Sequence, residues 1–257
     1  MKVIKHKLPE FKELQILPLA DLHIGDIHSN GGKIKEWLDY IEHTENCYTI
    51  LNGDLMDTAT RTSIGDTYSQ TYNPMKQLEQ CVKLFGPIKD KVLCITGGNH
   101  EARIWKTDGI DTTGLMAAQL QLDEVYSPES AIIFVSFGRQ SGNKSYYPIT
   151  YAIYCVHGGG GGRMEGAKVN RLVQLGNIID ADIYLHSHTH SPAIVRNSFY
   201  RTDTPHKCIE KVDRLFINTS SSLDYGGYGE FNSYKPNSLE TPLIILNGYK
   251  RGMRAVL

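Results

Sequence analysis

VLCITGGNHE, residues 92–101, joins an apolar, β-branched run to a terminus of two glycines followed by Asn99, His100 and Glu101. YTILNGDLMD, residues 48–57, does the same: the run Cys47–Leu51 ends in Asn52-Gly53-Asp54, with Asp57 three residues on. Runs of this length and β-branched content read as strands buried on both faces. A buried strand that stops abruptly at residues with chemistry points to an α/β sheet, in which ligand sites form beyond the carboxyl ends of strands.

Working outward, the pattern recurs. Leu14–Ala20 precedes Asp21, Ile149–Val156 precedes His157, Ile183–Leu185 precedes His186, Leu215–Ile217 precedes Asn218, and Leu243–Leu246 follows later. Helical spacing lies between several of them. Ile34, Trp37, Leu38 and Ile41 share one face, with Ser29 or Asn30 as cap. Asn73-Pro74 reads as an N-cap followed by proline at the first helical position, leading to Leu78, Cys81, Val82 and Phe85. Val169, Leu172, Val173 and Gly176 repeat the spacing, and Gly114–Leu122 forms a further candidate. Ala131–Phe137 reads as a strand and Gly138–Ser145 as a polar turn before another, so an antiparallel section is expected in the second half. Together these predict a mixed sheet, or two packed sheets with flanking helices, in a single domain spanning residues 1–257.

At 257 residues, with 40% hydrophobic and 21% charged residues, the composition is that of an ordinary globular protein. A formal net charge of −1 gives no global basic field for nucleic acid, although bound cations can supply positive charge locally. The polar start MKVIKHKLPEFKEL lacks the apolar core of a signal peptide, and no segment approaches the roughly 20 apolar residues of a membrane helix. Cys47, Cys81, Cys94, Cys155 and Cys208 form no CxxC pair and read as reduced core residues, which predicts a cytoplasmic protein without a membrane partner.

Five clusters follow the predicted strands: Asp21-x-His23, Gly53-Asp54-x-x-Asp57, Gly98-Asn99-His100-Glu101, His157-Gly158 and His188-x-His190. Each alone is a weak signal, and a chain needing only soluble turns would use Gly, Asn, Ser and Pro there. In this order, the clusters resemble the pattern DxH, GDxxD, GNH[D/E], H, GHxH of the calcineurin-like metallophosphoesterase superfamily. The resemblance runs from Asp21 to His190. It implies an α/β (α+β) fold of four layers, a β-sandwich of two mixed sheets flanked by helices.

It also implies two divalent metal ions, roughly 3.5–4 Å apart, clamping the attacking and leaving oxygens of a phosphate ester. One ion would be held by Asp21, His23 and His190, the other by Asn99, His157 and His188, with Asp54 bridging. The attacking water would be acidified by both ions, since a single zinc brings a bound water to a pKa of about 7. Carboxylate, imidazole and amide donors suit Mn first, and also Fe, Zn or Ni. His100 would face the substrate as a catalytic group. Asp57 is then its orienting partner, or else a helix N-terminal carboxylate.

Ser187 departs from the pattern's glycine and is expected to crowd a tight turn slightly. His186 extends the last cluster and has two readings, ligand or hydrogen-bonding supporter of one. The Gly158–Gly162 run reads as a backbone cradle for phosphate with Arg163 as clamp, or as a flexible connection; it lacks the P-loop sequel. Arg61 and Arg103 are candidate phosphate contacts, or surface residues. Tyr225-Gly-Gly-Tyr-Gly reads as a base-stacking or plain loop.

Asp21-Leu-His-Ile-Gly25 and Gly53-Asp-Leu-Met-Asp57 are similar to the DNA-repair nuclease and phosphodiesterase branch, implying a nucleotide or nucleic-acid substrate. Thr58 and Gly97 stand where protein phosphatases of the superfamily carry arginines. The stretch after His190 is short and strand-like, so no large DNA-binding cap is expected. A phosphomonoesterase acting on a small metabolite is the alternative. A non-catalytic scaffold that binds partner proteins is a third, disfavoured because the ligand set is complete.

Overall fold

Cys47–Asn52 is buried at every position, which requires a strand covered on both faces. The computed structural model shows what covers it, and describes residues 1–61, 63, 67–141, 146–160 and 162–257. In chain order the elements are β1 (Lys2–Lys7), β2 (Glu13–Ile16), α1 (Gly31–His43), β3 (Cys47–Asn52), α2 (Pro74–Phe85), β4 (Val92–Thr96), α3 (Glu101–Asp108) and α4 (Thr112–Leu120). There follow β5 (Tyr126–Ser127), β6 (Ser130–Ser141), β7 (Tyr146–Val156), α5 (Glu165–Gln174), β8 (Ile183–His186), β9 (Ala193–Asp203), β10 (Cys208–Asn218), α6 (Gly227–Phe231), β11 (Leu243–Asn247) and β12 (Met253–Val256).

Two six-stranded mixed sheets result, ordered β1-β6-β7-β8-β10-β9 and β12-β11-β2-β3-β4-β5. Their facing sides interdigitate through Ile4, Ile16, Ile50, Ile133, Ile153, Ile183, Leu215 and Ile244. On the outer side of the second sheet, Trp37 and Ile41 of α1, Phe85 of α2 and Met116 of α4 pack with Leu51 and Ile95. On the outer side of the first, Leu172 and Leu175 pack on Tyr184 and Phe216, whose rings stack at 4.6 Å. This is the expected four-layer architecture. It explains why the central strands read as unbroken apolar runs: each has one face on the opposite sheet and one on helices.

Asn30 rather than Ser29 caps α1, accepting from Lys33 N at 2.9 Å, and Asn73 caps α2 ahead of Pro74, accepting from Lys76 N at 2.9 Å. The hairpin in the second half is β6 paired antiparallel with β7. Strand β6 continues to Ser141, into the segment read as a turn, and residues 142–145 lie outside the described set. Strands β1, β9 and β12, and helix α3, are additions to the sequence reading. Their alternating or exposed residues give no apolar run, as in KVIKHK of β1. Cys47, Cys81, Cys94 and Cys155 are buried thiols, but Cys208 is exposed at the start of β10, which corrects its reading as a core residue. Among the described residues no helix is long and apolar enough to cross a membrane.

The strands β2, β3 and β4 run parallel in one sheet, and β7, β8 and β10 in the other. The residues Asp21, Asp54, Asn99, His157, His188 and Asn218 all lie at or just beyond the carboxyl ends of these strands.

Candidate metal centre

Beyond β2 the chain continues alongside the segment beyond β3: Asp21 N donates to Gly53 O and His23 N to Asp54 O, both at 3.1 Å, and Ile24 N to Leu55 O at 2.9 Å. Along this path the backbone adopts the left-handed conformation at Asp21 (φ 52°), His23 (46°) and Asp54 (49°), and again at His188 (68°) and His190 (52°). Elsewhere among the described non-glycine residues only Thr58, Gln121, Lys207 and Ser233 do so. Each such residue costs on the order of 1–3 kcal/mol, and conformations of this kind cluster at functional sites.

The donor atoms of Asp21, His23 and His190 lie within 4.8 Å of one another, as do those of Asp54, His157 and His188. His23 Nε2 and His190 Nε2 face each other at 3.2 Å, and Asp21 Oδ1 is 3.2 Å from His190 Nε2. Asp21 Oδ2 accepts from His188 N at 3.0 Å, while the buried Oδ1 makes no hydrogen bond unless His190 is protonated. In the second set, His157 Nε2 lies 3.1 Å from Asp54 Oδ2 and 3.2 Å from Asn99 Oδ1. Converging imidazole nitrogens beside a buried carboxylate oxygen fit divalent cations, because one cation satisfies several lone pairs that would otherwise compete for a single proton. Asp54, a member of the second set, also lies within 4.8 Å of His23 in the first.

Surrounding groups fix which ring nitrogen points inward. His157 Nδ1 donates to Asn52 O at 2.8 Å, presenting Nε2. Asp57 Oδ1 lies 3.3 Å from His23 Nδ1 and 2.8 Å from His100 Nδ1, so one carboxylate orients both an imidazole of the first donor set and His100. Among the described residues no helix begins at Asp57, which does not favour the alternative of a helix N-terminal carboxylate. His100 Nε2 accepts from Arg103 at 2.9 Å, and Arg103 also donates to Asp57 O at 3.2 Å. A nitrogen of His100 lies within 4.8 Å of donor atoms of His23 and Asp54. Both ring nitrogens, however, already have partners.

Glu101 extends the site in a way the sequence reading missed. Buried at the start of α3, its carboxylate accepts from Asp54 N, Leu55 N, Met56 N and Gly98 N at 2.6–3.1 Å. The loops are tight as well: a Cβ on Gly98 would collide with Asp54 Oδ1 and the Asp54 backbone nitrogen. Behind Asp21 the buried segment Asn218-Thr-Ser-Ser-Ser222 forms a polar floor, with Ser221 Oγ donating to Asp21 O and Ser222 Oγ to Leu22 O. Its polar run after β10 was the available signal. His186 hydrogen-bonds Asn218 through Nδ1 at 2.8 Å and joins neither donor set. Ser187 does not crowd the turn: its buried Oγ accepts from Asn52 Nδ2 at 2.7 Å and Thr219 Oγ1 at 2.9 Å, a role glycine lacks.

The three arginines separate. Arg103 is in the network, Arg61 is exposed, and Arg163 is exposed with its guanidinium 5.5 Å from the Tyr234 ring. Of the glycine run, Gly161 lies outside the described residues, and Gly159 O accepts from Arg171.

Burial lowers the His157 imidazole's pKa, but the Asp54 and Asp21 carboxylates outweigh it and hold it up at about 10. His188 is pushed down to about 4 by burial and the charge of His157. Burial opposes the charges of Asp21 and Asp54, yet the surrounding imidazoles hold both carboxyls below the usual range. Burial and the nearby Asp54 push Glu101 up to about 7.

A family model described as calcineurin-like phosphoesterase matches residues 22–192. No curated protein matches the sequence. Similar solved structures include a predicted phosphoesterase from Streptococcus pneumoniae TIGR4, at 14% identity over 95% of this chain and 97% of that one, with a TM-score of 0.37. GAP50, described as the anchor in the inner membrane complex of Plasmodium, gives 12% identity over 95% and 83%, with a TM-score of 0.44. Phosphopantetheinyl hydrolase of Mycobacterium tuberculosis gives 12% identity over 96% of each chain, with a TM-score of 0.36.

Two outcomes follow from the geometry. Gly98→Ala should lower both bound metal and thermal stability, because its Cβ meets a backbone nitrogen that cannot swing away; unchanged metal content by elemental analysis would contradict this. In chelator-stripped protein His157 carries a proton up to about pH 10. Divalent-metal binding at pH 8 should therefore release about one proton and tighten as pH rises. Calorimetry in buffers of different ionisation enthalpy measures this, and zero release would refute it.

Proposed function

The chain belongs to the calcineurin-like phosphoesterase family and is a metal-dependent phosphoric ester hydrolase, and on that footing we propose that it cleaves phosphodiester bonds of nucleotides or nucleic acid at a two-metal centre. One observation carries the two-metal reading: Asp54 converges with His157 and His188 and also lies within reach of His23, a member of the other donor set. In this reading Asp21, His23 and His190 hold one ion, Asn99, His157 and His188 the other, and Asp54 contributes to both. The donors are carboxylates, imidazoles and an amide, and no thiol joins either set, which suits Mn, with Fe, Zn or Ni as competitors. Bound there, two divalent cations would supply Lewis-acid polarisation of the phosphate and activation of the attacking water.

The chain's own residues do the rest. His100 is held by Asp57 at Nδ1, leaving Nε2 directed at Arg103. Displacing Arg103 frees the Nε2 lone pair to take up a proton from solvent, and the imidazolium so formed can pass that proton to the leaving-group oxygen. Burial lowers the His100 pKa, but Asp54 and Asp57 outweigh it and raise it above its ordinary value, which favours that donor form. The displaced Arg103 guanidinium remains at hand to bind a phosphate oxygen. Arg61 and Arg163, both exposed, are left as contacts for more distant parts of a substrate. The diester preference rests on the motif style of Asp21–Gly25 and Gly53–Asp57, and on Thr58 and Gly97 at the positions of phosphatase arginines. Free thiols, four of them buried, suit a reducing compartment such as the cytoplasm.

With Mn present, turnover of bis(p-nitrophenyl) phosphate should exceed that of p-nitrophenyl phosphate; the reverse order would assign the protein to monoesters. Asp54→Asn should lower metal content and abolish turnover, since the shared carboxylate loses its charge. His100→Ala should keep both metals while kcat falls by about 10²–10⁴; loss of the metals in that variant would refute the assignment.

A further inference from the structure

Asp57 Oδ1 faces His100 and His23, while its second oxygen, Oδ2, accepts from Gln70 Nε2 at 2.7 Å. Gln70 Oε1 in turn accepts from Gln77 Nε2 at 2.9 Å. Gln77 is completely buried on α2; its Nε2 also donates to Tyr72 O, and its Oε1 accepts from Thr58 N, both at 2.8 Å. A buried glutamine in this place has no bearing on helix packing that an apolar residue would not serve better.

The polarity of this chain is forced. An amide N–H such as that of Thr58 can only donate, and a carbonyl such as that of Tyr72 can only accept. Turning the Gln77 side-chain amide over would set donor against donor and acceptor against acceptor. With Gln77 fixed, Gln70 must present its oxygen to Gln77 and its NH₂ group to Asp57. We propose that Gln77 and Gln70 form a two-amide relay of fixed polarity that positions Asp57 for His100, making Gln70 a positioning residue of the hydrolysis.

The relay is built in from several segments. Gly25, at φ +112°, passes so close beneath Gln77 that a Cβ there would collide with the side-chain amide. Gln70 is pinned by its bridge to Asp26, and the next residue by the bond from Thr71 N to Gly25 O at 2.7 Å. A permanent donor on Oδ2 keeps a proton off that oxygen and stops the carboxylate from rotating, so Oδ1 stays aimed at the His100 Nδ1–H. The relay rests on the reading of His100 as the substrate-facing group.

The test is a double-mutant cycle on the Mn-loaded full chain with bis(p-nitrophenyl) phosphate, with metal content measured throughout. Gln70→Ala should lower kcat on the order of 10-fold with little change in KM, and should lower it no further in a His100→Ala background. An equal loss in both backgrounds, or wild-type kcat in Gln70→Ala, overturns the relay while leaving His100 in place. Wild-type kcat in His100→Ala overturns the reading of His100 and the relay with it. Should Gln70→Ala lose metal or fold poorly, Gln70→Met keeps the side-chain length but offers Asp57 no donor. A wild-type kcat in that variant overturns the proposal, and a loss of kcat that disappears in the His100→Ala background upholds it.

Discussion

Both oxygens of Glu101 are taken by backbone amides from two loops: Oε1 by Leu55 N and Met56 N, Oε2 by Asp54 N and Gly98 N. This binds the turn after β3 to the turn after β4 and places Asp54 next to the loop that carries Asn99 and His100. The four amides are buried and would otherwise lack partners, a far larger cost than the net gain of any one bond. The arrangement is not free. Burial and the charge of Asp54 push Glu101 up to about 7, so two carboxylates are crowded into one dry volume. The amide donors and the start of α3 oppose that repulsion. Glu101 thus works as a clamp on backbone.

Asp57 is the second clamp, and it ties two functions that the sequence keeps apart. Through one oxygen it reaches His23, in the donor set of Asp21, and His100, outside both proposed ligand sets. On the proposed roles, metal binding and leaving-group protonation share an anchor. A disturbance of Asp57 should be felt in both, whereas the motif alone suggests a separate substrate-facing pair. Arg103, one helical turn past His100, closes the far side of that imidazole.

Much of this was legible in the sequence. The central strands are apolar because both of their faces are covered, so they stood out as runs, and each run pointed at its cluster. The proline-marked start of α2 and the stripe of α1 were equally plain. What stayed hidden has a common physical cause. Strands β1 and β9 lie at sheet edges with exposed faces, so no apolar run marks them. Gln70, Gln77 and the serines after β10 act through hydrogen bonds set by tertiary placement, and polar residues in loops look alike before folding. The expected crowding at Ser187 failed for the same reason, since its hydroxyl has partners from Asn52 and Thr219 that only the folded chain brings near.

Backbone conformation is the deepest of these hidden terms. A residue in the left-handed region persists only where its surroundings over-determine it. At Asp21 the surroundings come from both sheets: Gly53 O after β3 accepts its N–H, while Ser221 Oγ and Ser222 N, after β10, both donate to its carbonyl. At His23 the anchors are Asp54 O on the N–H and Asp26 N on the carbonyl, with Asp57 holding the ring. The strain that aims these side chains inward is thus held in part by a segment that supplies no proposed ligand, residues 218–222. The polar floor at 218–222 is therefore as much a part of the site as the Asp21 it supports.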